Sequence, residues 1–175
     1  MRVVHNNSYD TRWFVVAFEE EFTSHDCNIL YLEEPGKISA AMATQWLIEN
    51  YDVSEIINIG TAGGNPNKVE KGKVYEIGEV ADRDWKTPNC ALPSIKVNEI
   101  KGGLKTCYTG DSFVTDWNND FDIVDMEAYA IAKVCKNKEN CIPFSCYKYI
   151  SDTGSDIEWK ESLGKCNKVF NEMFM

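Results

Sequence analysis

The stretch Glu55-Ile-Ile-Asn-Ile-Gly-Thr-Ala-Gly-Gly64 decides the fold. A short apolar run at its start has the length and character of a buried strand. It passes straight into a segment of small residues, Gly60 to Gly64, that lets backbone N–H groups come close to a bound molecule. In open α/β sheets, ligands collect beyond the carboxyl ends of strands. No Gly-Lys-Ser/Thr follows and the GxGxxG pattern is absent, so neither a P-loop nor a dinucleotide fingerprint is present. A tight turn accounts for Gly60 to Gly64 equally well.

Upstream, Trp13-Phe-Val-Val-Ala-Phe18 suits a strand buried on both faces, and Asn28 to Leu32 reads as another. Gly36 opens a helix from about Ile38 to Tyr51, with Ala41, Gln45 and Ile48 on one side and Met42, Trp46 and Glu49 on the next. Downstream, Val74 to Val80, Ser94 to Val97 and Lys105 to Tyr108 are strand candidates. Phe121 to Val124 leads into a helix from about Glu127 to Asn137. Phe144 to Ile150 follows Pro143 as a strand, and a last helix covers about Ile157 to Met173, with Ser155 and Glu158 as a capping-box pattern. Strands alternating with helices predict an α/β fold: one domain over 1–175, a three-layer αβα sandwich with a mixed central sheet. Asn65 to Gly72 and Asp82 to Pro93 are the most loop-like stretches.

Composition narrows the function. The 175 residues are 43% hydrophobic and include 21 aromatic side chains, enough for one well-filled core. A net charge of −10 makes an extended phosphate backbone a poor partner, so nucleic acid is not expected. Met1 to Asp10 lacks the apolar stretch of a secretory signal, and no apolar run reaches membrane-span length, so no membrane partner is expected. Seven cysteines, an odd number with no CxxC pair, read as reduced thiols in a cytoplasmic protein. The two histidines, His5 and His25, offer no zinc-ligand spacing, and neither a metal nor a cofactor is expected.

Four segments carry groups suited to chemistry. Glu19-Glu20-Glu21 closes the first strand; a solvated acidic face is the ordinary explanation, but a glutamate at a strand end is placed to activate water. Gly60 to Gly64 is the second. Val124-Asp-Met-Glu-Ala128 puts two acids where a strand gives way to a helix, either as an N-cap by Asp125 with a dipole contact from Glu127, or as an acceptor for ribose hydroxyls. Ile150-Ser-Asp-Thr-Gly154 ends the last strand. Asp152 either starts a turn or serves as an acid that protonates a leaving group.

In this order the segments resemble the nucleoside phosphorylase/nucleosidase superfamily, and most closely the methylthioadenosine/S-adenosylhomocysteine nucleosidases. Ala17-Phe18-Glu19-Glu20-Glu21 is similar to that family's Ala-Met-Glu-Glu-Glu, and Pro35-Gly36-Lys37-Ile38-Ser39-Ala40-Ala41 to its Gly-Lys-Val-Ala-Ala. Asn58 to Gly64, Gly110-Asp111-Ser112-Phe113, Asp125-Met126-Glu127-Ala128 and Ile150-Ser151-Asp152 also match family segments in register. The resemblance implies hydrolysis of a purine nucleoside, with Glu21 activating water, Asp152 as the acid at purine N7 and Glu127 with Met126 on the ribose. It implies that Phe113 stacks on the base and the Val114 backbone meets its edge. Thr61, Ala62 and Gly63 would line the pocket, Ser151 and Lys148 would help bind substrate, and Trp159 would cover the 5′ side. A homodimer is also implied, with Trp46, Trp85 and Trp117 as spare interface aromatics.

The chain departs from the family in three places. A hairpin between Glu21 and Gly36 is missing, Phe18 replaces a methionine, and Lys148 replaces an arginine, keeping the charge without the planar fork. Two alternatives remain at this point: a phosphorylase on the same fold, and a catalytically weak nucleoside-binding protein. Only three arginines occur, Arg2, Arg12 and Arg83, and the first strand ends in glutamates that repel phosphate. Water is therefore the expected nucleophile, with Lys37 and Lys148 the lysines that would serve phosphate instead.

Overall fold

A computed structural model describes residues 1–6, 9–32, 34–88, 90–97 and 104–175. Its strands are β1 (Arg2–His5), β2 (Arg12–Val16), β3 (Asn28–Tyr31), β4 (Glu55–Gly64), β5 (Val74–Asp82), β6 (Ser94–Lys96), β7 (Lys105–Thr109), β8 (Ile123–Asp125) and β9 (Phe144–Asp152). The helices are α1 (Lys37–Asn50), α2 (Ala128–Cys135) and α3 (Asp156–Phe174), and Glu19–Glu21 forms one 3-10 turn.

Successive side chains of a strand point to opposite faces, and here both faces are covered. Trp13, Val15, Leu30 and Ile56 join one buried cluster with Leu47 of α1 and Ile131 of α2. Their neighbours Phe14, Val16, Ile29 and Ile57 join a second with Cys166 and Phe170 of α3. The result is the expected three layers: α1 and α2, a sheet, and α3. The sheet is mixed. β2 runs parallel to β3 and β4, and β9 runs parallel to β4, whereas β1, β6 and β8 pair antiparallel to β3, β5 and β4. Because β9 pairs with both β4 and β5, the pairings β4-β8-β7-β5-β9 return to β4 and close a ring.

Three local features are decided by packing. Gly60 to Gly64 is not a turn: β4 continues through it, paired in parallel with β9 as far as Gly63↔Asp152, with a register shift between Ala62 and Gly63. Glycine in a strand marks a bulge or a close approach by another group, and both occur here. On α1 the buried stripe is Ala40, Ala43, Thr44 and Leu47, so Ala41, Gln45 and Ile48 flank it and Met42 and Glu49 face outward. Small residues lie there because α1 packs on α2, which buries Ala128, Ala130 and Ala132. The opening residues form edge strand β1, whose two partly buried valines, Val3 and Val4 between exposed ends, make too short a run for apolar periodicity to reveal. Among the described residues, no helix is long and apolar enough to cross a membrane, and no group of three His, Cys, Asp or Glu could hold a metal ion.

Candidate active site

A cavity of about 380 Å³ opens where β2, β4, β8 and β9 end, within the usual range for small-molecule sites. Three stretches of chain, after β2, after β8 and at the end of β9, bring the carboxyl groups described below to it.

Beyond β2 the chain makes the 3-10 turn, which folds Glu21 back over β4. There Glu21 is 3% exposed, and its Oε1 accepts hydrogen bonds from the Thr61 N–H (2.8 Å) and the Thr61 hydroxyl (2.5 Å). The Phe18 N–H reaches Oε2 at 3.3 Å. Gly60 makes this approach possible: a Cβ there would stand 3.1 Å from Glu21 Oε2. Burial raises the Glu21 pKa above the ordinary value, and the hydrogen bonds from Thr61 oppose the rise.

β8 ends at Asp125, and Glu127 stands at the N-cap of α2. The Asp125 carboxylate performs the capping: Oδ2 accepts from the Ala128 N–H at 2.8 Å, and Oδ1 from the Thr109 hydroxyl at 2.6 Å. It also pairs with the Lys148 ammonium at 2.8 Å, both side chains being buried. Burial alone would raise the Asp125 pKa, but Lys148 and these donors hold it below the usual carboxylate value. Among the described residues Glu127 forms no ion pair of its own, and the nearby Lys148 charge only partly offsets the rise in its pKa. Its Oε1 accepts from the Gly36 N–H at 3.0 Å, and burial, with the neighbouring Asp125 charge, pushes its pKa up to about 7. Gly36 has φ +115, a conformation that favours glycine, and this turn aims its N–H at Glu127.

β9 ends at Asp152, 2% exposed, whose Oδ2 accepts from the Ser151 hydroxyl (2.8 Å) and Oδ1 from the Gly154 N–H (2.8 Å). The remaining wall is largely apolar, with Phe18, Pro35, Met126 and Trp159. Phe113 lies at the mouth, 49% exposed.

Of the residues singled out from sequence, Glu21, Thr61, Ala62, Gly63, Phe113, Val114, Met126, Glu127, Ser151, Asp152 and Trp159 all line this cavity. Lys148 does not. Expected to bind substrate, it is instead fully buried beneath the wall and neutralised by Asp125, because an ammonium inside the ring of strands needs a carboxylate partner. Sequence reasoning missed Arg83, which follows β5 directly and lines the cavity. Its guanidinium donates to the Gly110 and Ser112 carbonyls and to the Ser112 hydroxyl. A lone arginine in a loop carries no local signal. Trp46 and Trp117 are partly buried, Trp46 against the core beside α1 and Trp117 donating to the Thr153 carbonyl at 2.8 Å, so of the proposed interface aromatics Trp85 alone is exposed.

The model of the phosphorylase superfamily matches residues 15–101. A 5′-methylthioadenosine/S-adenosylhomocysteine nucleosidase of Bacillus cereus strain B4264 is 32% identical over 163 residues, covering 73% of this chain and 67% of that protein. The chain belongs to this nucleosidase family. Its counterpart from Shewanella piezotolerans is 30% identical over 158 residues, covering 69% of the chain and 66% of that protein, so the chain spans about two thirds of the length of the curated relatives it matches. Solved structures of the family share the fold. The Streptococcus pneumoniae nucleosidase in complex with 8-aminoadenine superposes with a TM-score of 0.75 at 19% identity, covering 93% of this chain and 96% of that one. The Neisseria meningitidis nucleosidase in complex with methylthio-immucillin-A gives 0.70 at 22% identity, covering 89% and 92%.

Proposed function

We propose that this chain hydrolyses the N-glycosidic bond of a purine nucleoside bearing a 5′ thioether, 5′-methylthioadenosine or S-adenosylhomocysteine, and releases adenine. The observation that carries this reading is the convergence of Glu21, Glu127 and Asp152, from three distant segments, on one cavity with an otherwise largely apolar wall. Family membership supports the reaction type.

In this reading Asp152 gives a proton to N7 of the purine, which makes the base a better leaving group. The C1′–N9 bond breaks toward an oxocarbenium-like ribose, and contacts to the ribose hydroxyls strengthen as positive charge develops. Glu127, with Met126 beside it, supplies that contact. Glu21 takes a proton from the water that attacks C1′, and its two donors from Thr61 fix the direction in which it does so. Phe113 and Val114 hold the base, and Trp159 closes one side of the cavity.

Water rather than phosphate fits the distribution of charge. Lys37 is engaged by Asp82 and Asp84, each at 2.9 Å, and Lys148 by Asp125, so neither lysine is available to a dianion. One observation favours phosphorolysis, namely Arg83 in the cavity wall, but both its terminal nitrogens already donate to Gly110 and Ser112. The proposed molecule is a homodimer in the cytoplasm. The exposed Ile38 and Met42, one turn apart on the outer side of α1, supply apolar surface for the contact, and the seven free thiols suit a reducing compartment. Light scattering at working concentration tests the dimer, and a monomeric mass refutes it.

Product analysis tests the reaction. The purified chain should release adenine and a free thioribose at the same rate with and without phosphate. A sugar 1-phosphate product refutes hydrolysis, and binding without adenine release reduces the chain to a nucleoside-binding protein.

A further inference from the structure

Trp159 stands in the first turn of α3, far along the chain from Thr61 and Glu21, yet joins them in one chain of hydrogen bonds. Its indole N–H lies 2.9 Å from the Thr61 hydroxyl oxygen, and that hydroxyl lies 2.5 Å from Glu21 Oε1. We propose that Trp159 is a positioning residue for the water-activating carboxylate, acting through Thr61, in addition to walling the cavity. The inference rests on the reading of Glu21 given above.

The direction of the chain follows from the donors available. An indole nitrogen can only donate, so the Thr61 oxygen accepts from Trp159 and is left with its own proton to give. Glu21 Oε1 is the acceptor in reach, and it already takes the Thr61 N–H at 2.8 Å. Two donors on one oxygen mark Oε1 as the anchored side of the carboxylate. Oε2 meets a single longer contact, 3.3 Å from the Phe18 N–H. The Phe18 ring packs edge-on against the Trp159 ring at 5.8 Å, so the tryptophan braces both segments that hold Glu21. Without the indole N–H, the Thr61 hydroxyl is free to rotate its proton away from Glu21.

Trp159→Phe isolates the hydrogen bond, because a phenyl ring still covers the cavity but has no N–H to give. Steady-state adenine release by the full chain is measured for the native protein, Trp159→Phe, Thr61→Val and the double variant, with Glu21→Gln as reference and folding checked by thermal denaturation. Trp159→Phe should lower kcat about tenfold and leave KM within about twofold, a loss on the scale of one hydrogen bond to a charged group. The double variant should be no slower than Thr61→Val alone, because an indole with no hydroxyl to orient has nothing left to contribute. Should Thr61→Val not fold, Thr61→Ala takes its place in the cycle.

Losses that multiply in the double variant refute action through Thr61, and a Trp159→Phe effect confined to KM reduces Trp159 to a wall. If either occurs while Glu21→Gln is inactive, only this inference falls. An active Glu21→Gln removes the assigned base, and this inference with it.

Discussion

Replacing Glu127 by glutamine removes one proton-binding group from the cavity wall while keeping its shape, and its effect on stability depends on pH in a way the structure dictates. A solvated glutamate titrates near 4.5, whereas in the fold burial and Asp125 push Glu127 up to about 7. Below pH 4.5 the carboxyl is protonated in both folded and unfolded chains, and its contribution to stability is fully present. As pH rises, the unfolded chain releases the proton first, so stability drains away until the folded group also ionises near 7. The separation between the two values is worth about 3 kcal/mol. Denaturant unfolding at pH 4.5, 5.5, 6.5 and 7.5 should therefore show Glu127→Gln gaining about 3 kcal/mol on the native chain across that range. Taking the difference between the two proteins cancels the acids remote from Glu127, whereas Asp125 and Glu21, which interact with it, shift with the substitution. Activity should move the opposite way. In the native chain kcat/KM should rise as pH passes through about 7, because the carboxylate is the form that strengthens contacts to an electron-poor ribose, and kcat/KM reports the free enzyme. Glu127→Gln should lose at least about a hundredfold in turnover. A stability difference that stays flat with pH would falsify the account of Glu127 as a buried carboxyl with a raised pKa.

Asp152→Asn should lower turnover at least about a hundredfold with the fold intact, and a purified variant of near-normal rate refutes its role as acid. In Gly60→Ala the new methyl would press on Glu21 Oε2 from 3.1 Å; kcat should fall while adenine affinity, read by calorimetry, holds. Unchanged kcat would mean the placement of Glu21 over β4 is unimportant. Lys148→Met leaves Asp125 charged and buried without its cation, and should cost about 3–5 kcal/mol in denaturant unfolding. Adding Asp125→Asn should restore part of that loss, and two independent, additive losses would refute the pairing.

The sequence by itself placed the strands at Trp13, Asn28, Glu55, Val74, Lys105 and Phe144 and the three helices, because apolar runs, caps and breakers act over a few residues and are read locally. It also marked the strand ends that bear Glu21, Glu127 and Asp152, since ligands gather where strands stop. What it left open was where each side chain went once those ends met. The Gly60 to Gly64 segment reads as a turn in isolation and becomes strand only because β8 and β9 supply partners for its backbone. Lys148 reads as a ligand for substrate and becomes the counter-charge of Asp125, on a different strand of the same closed ring. The contacts that fix the carboxylates span 40 residues from Glu21 to Thr61, 91 from Gly36 to Glu127, and 98 from Thr61 to Trp159. No local pattern encodes such distances. They are settled by sheet registry and by the cost of leaving buried charges and donors without partners, which only the folded chain brings together.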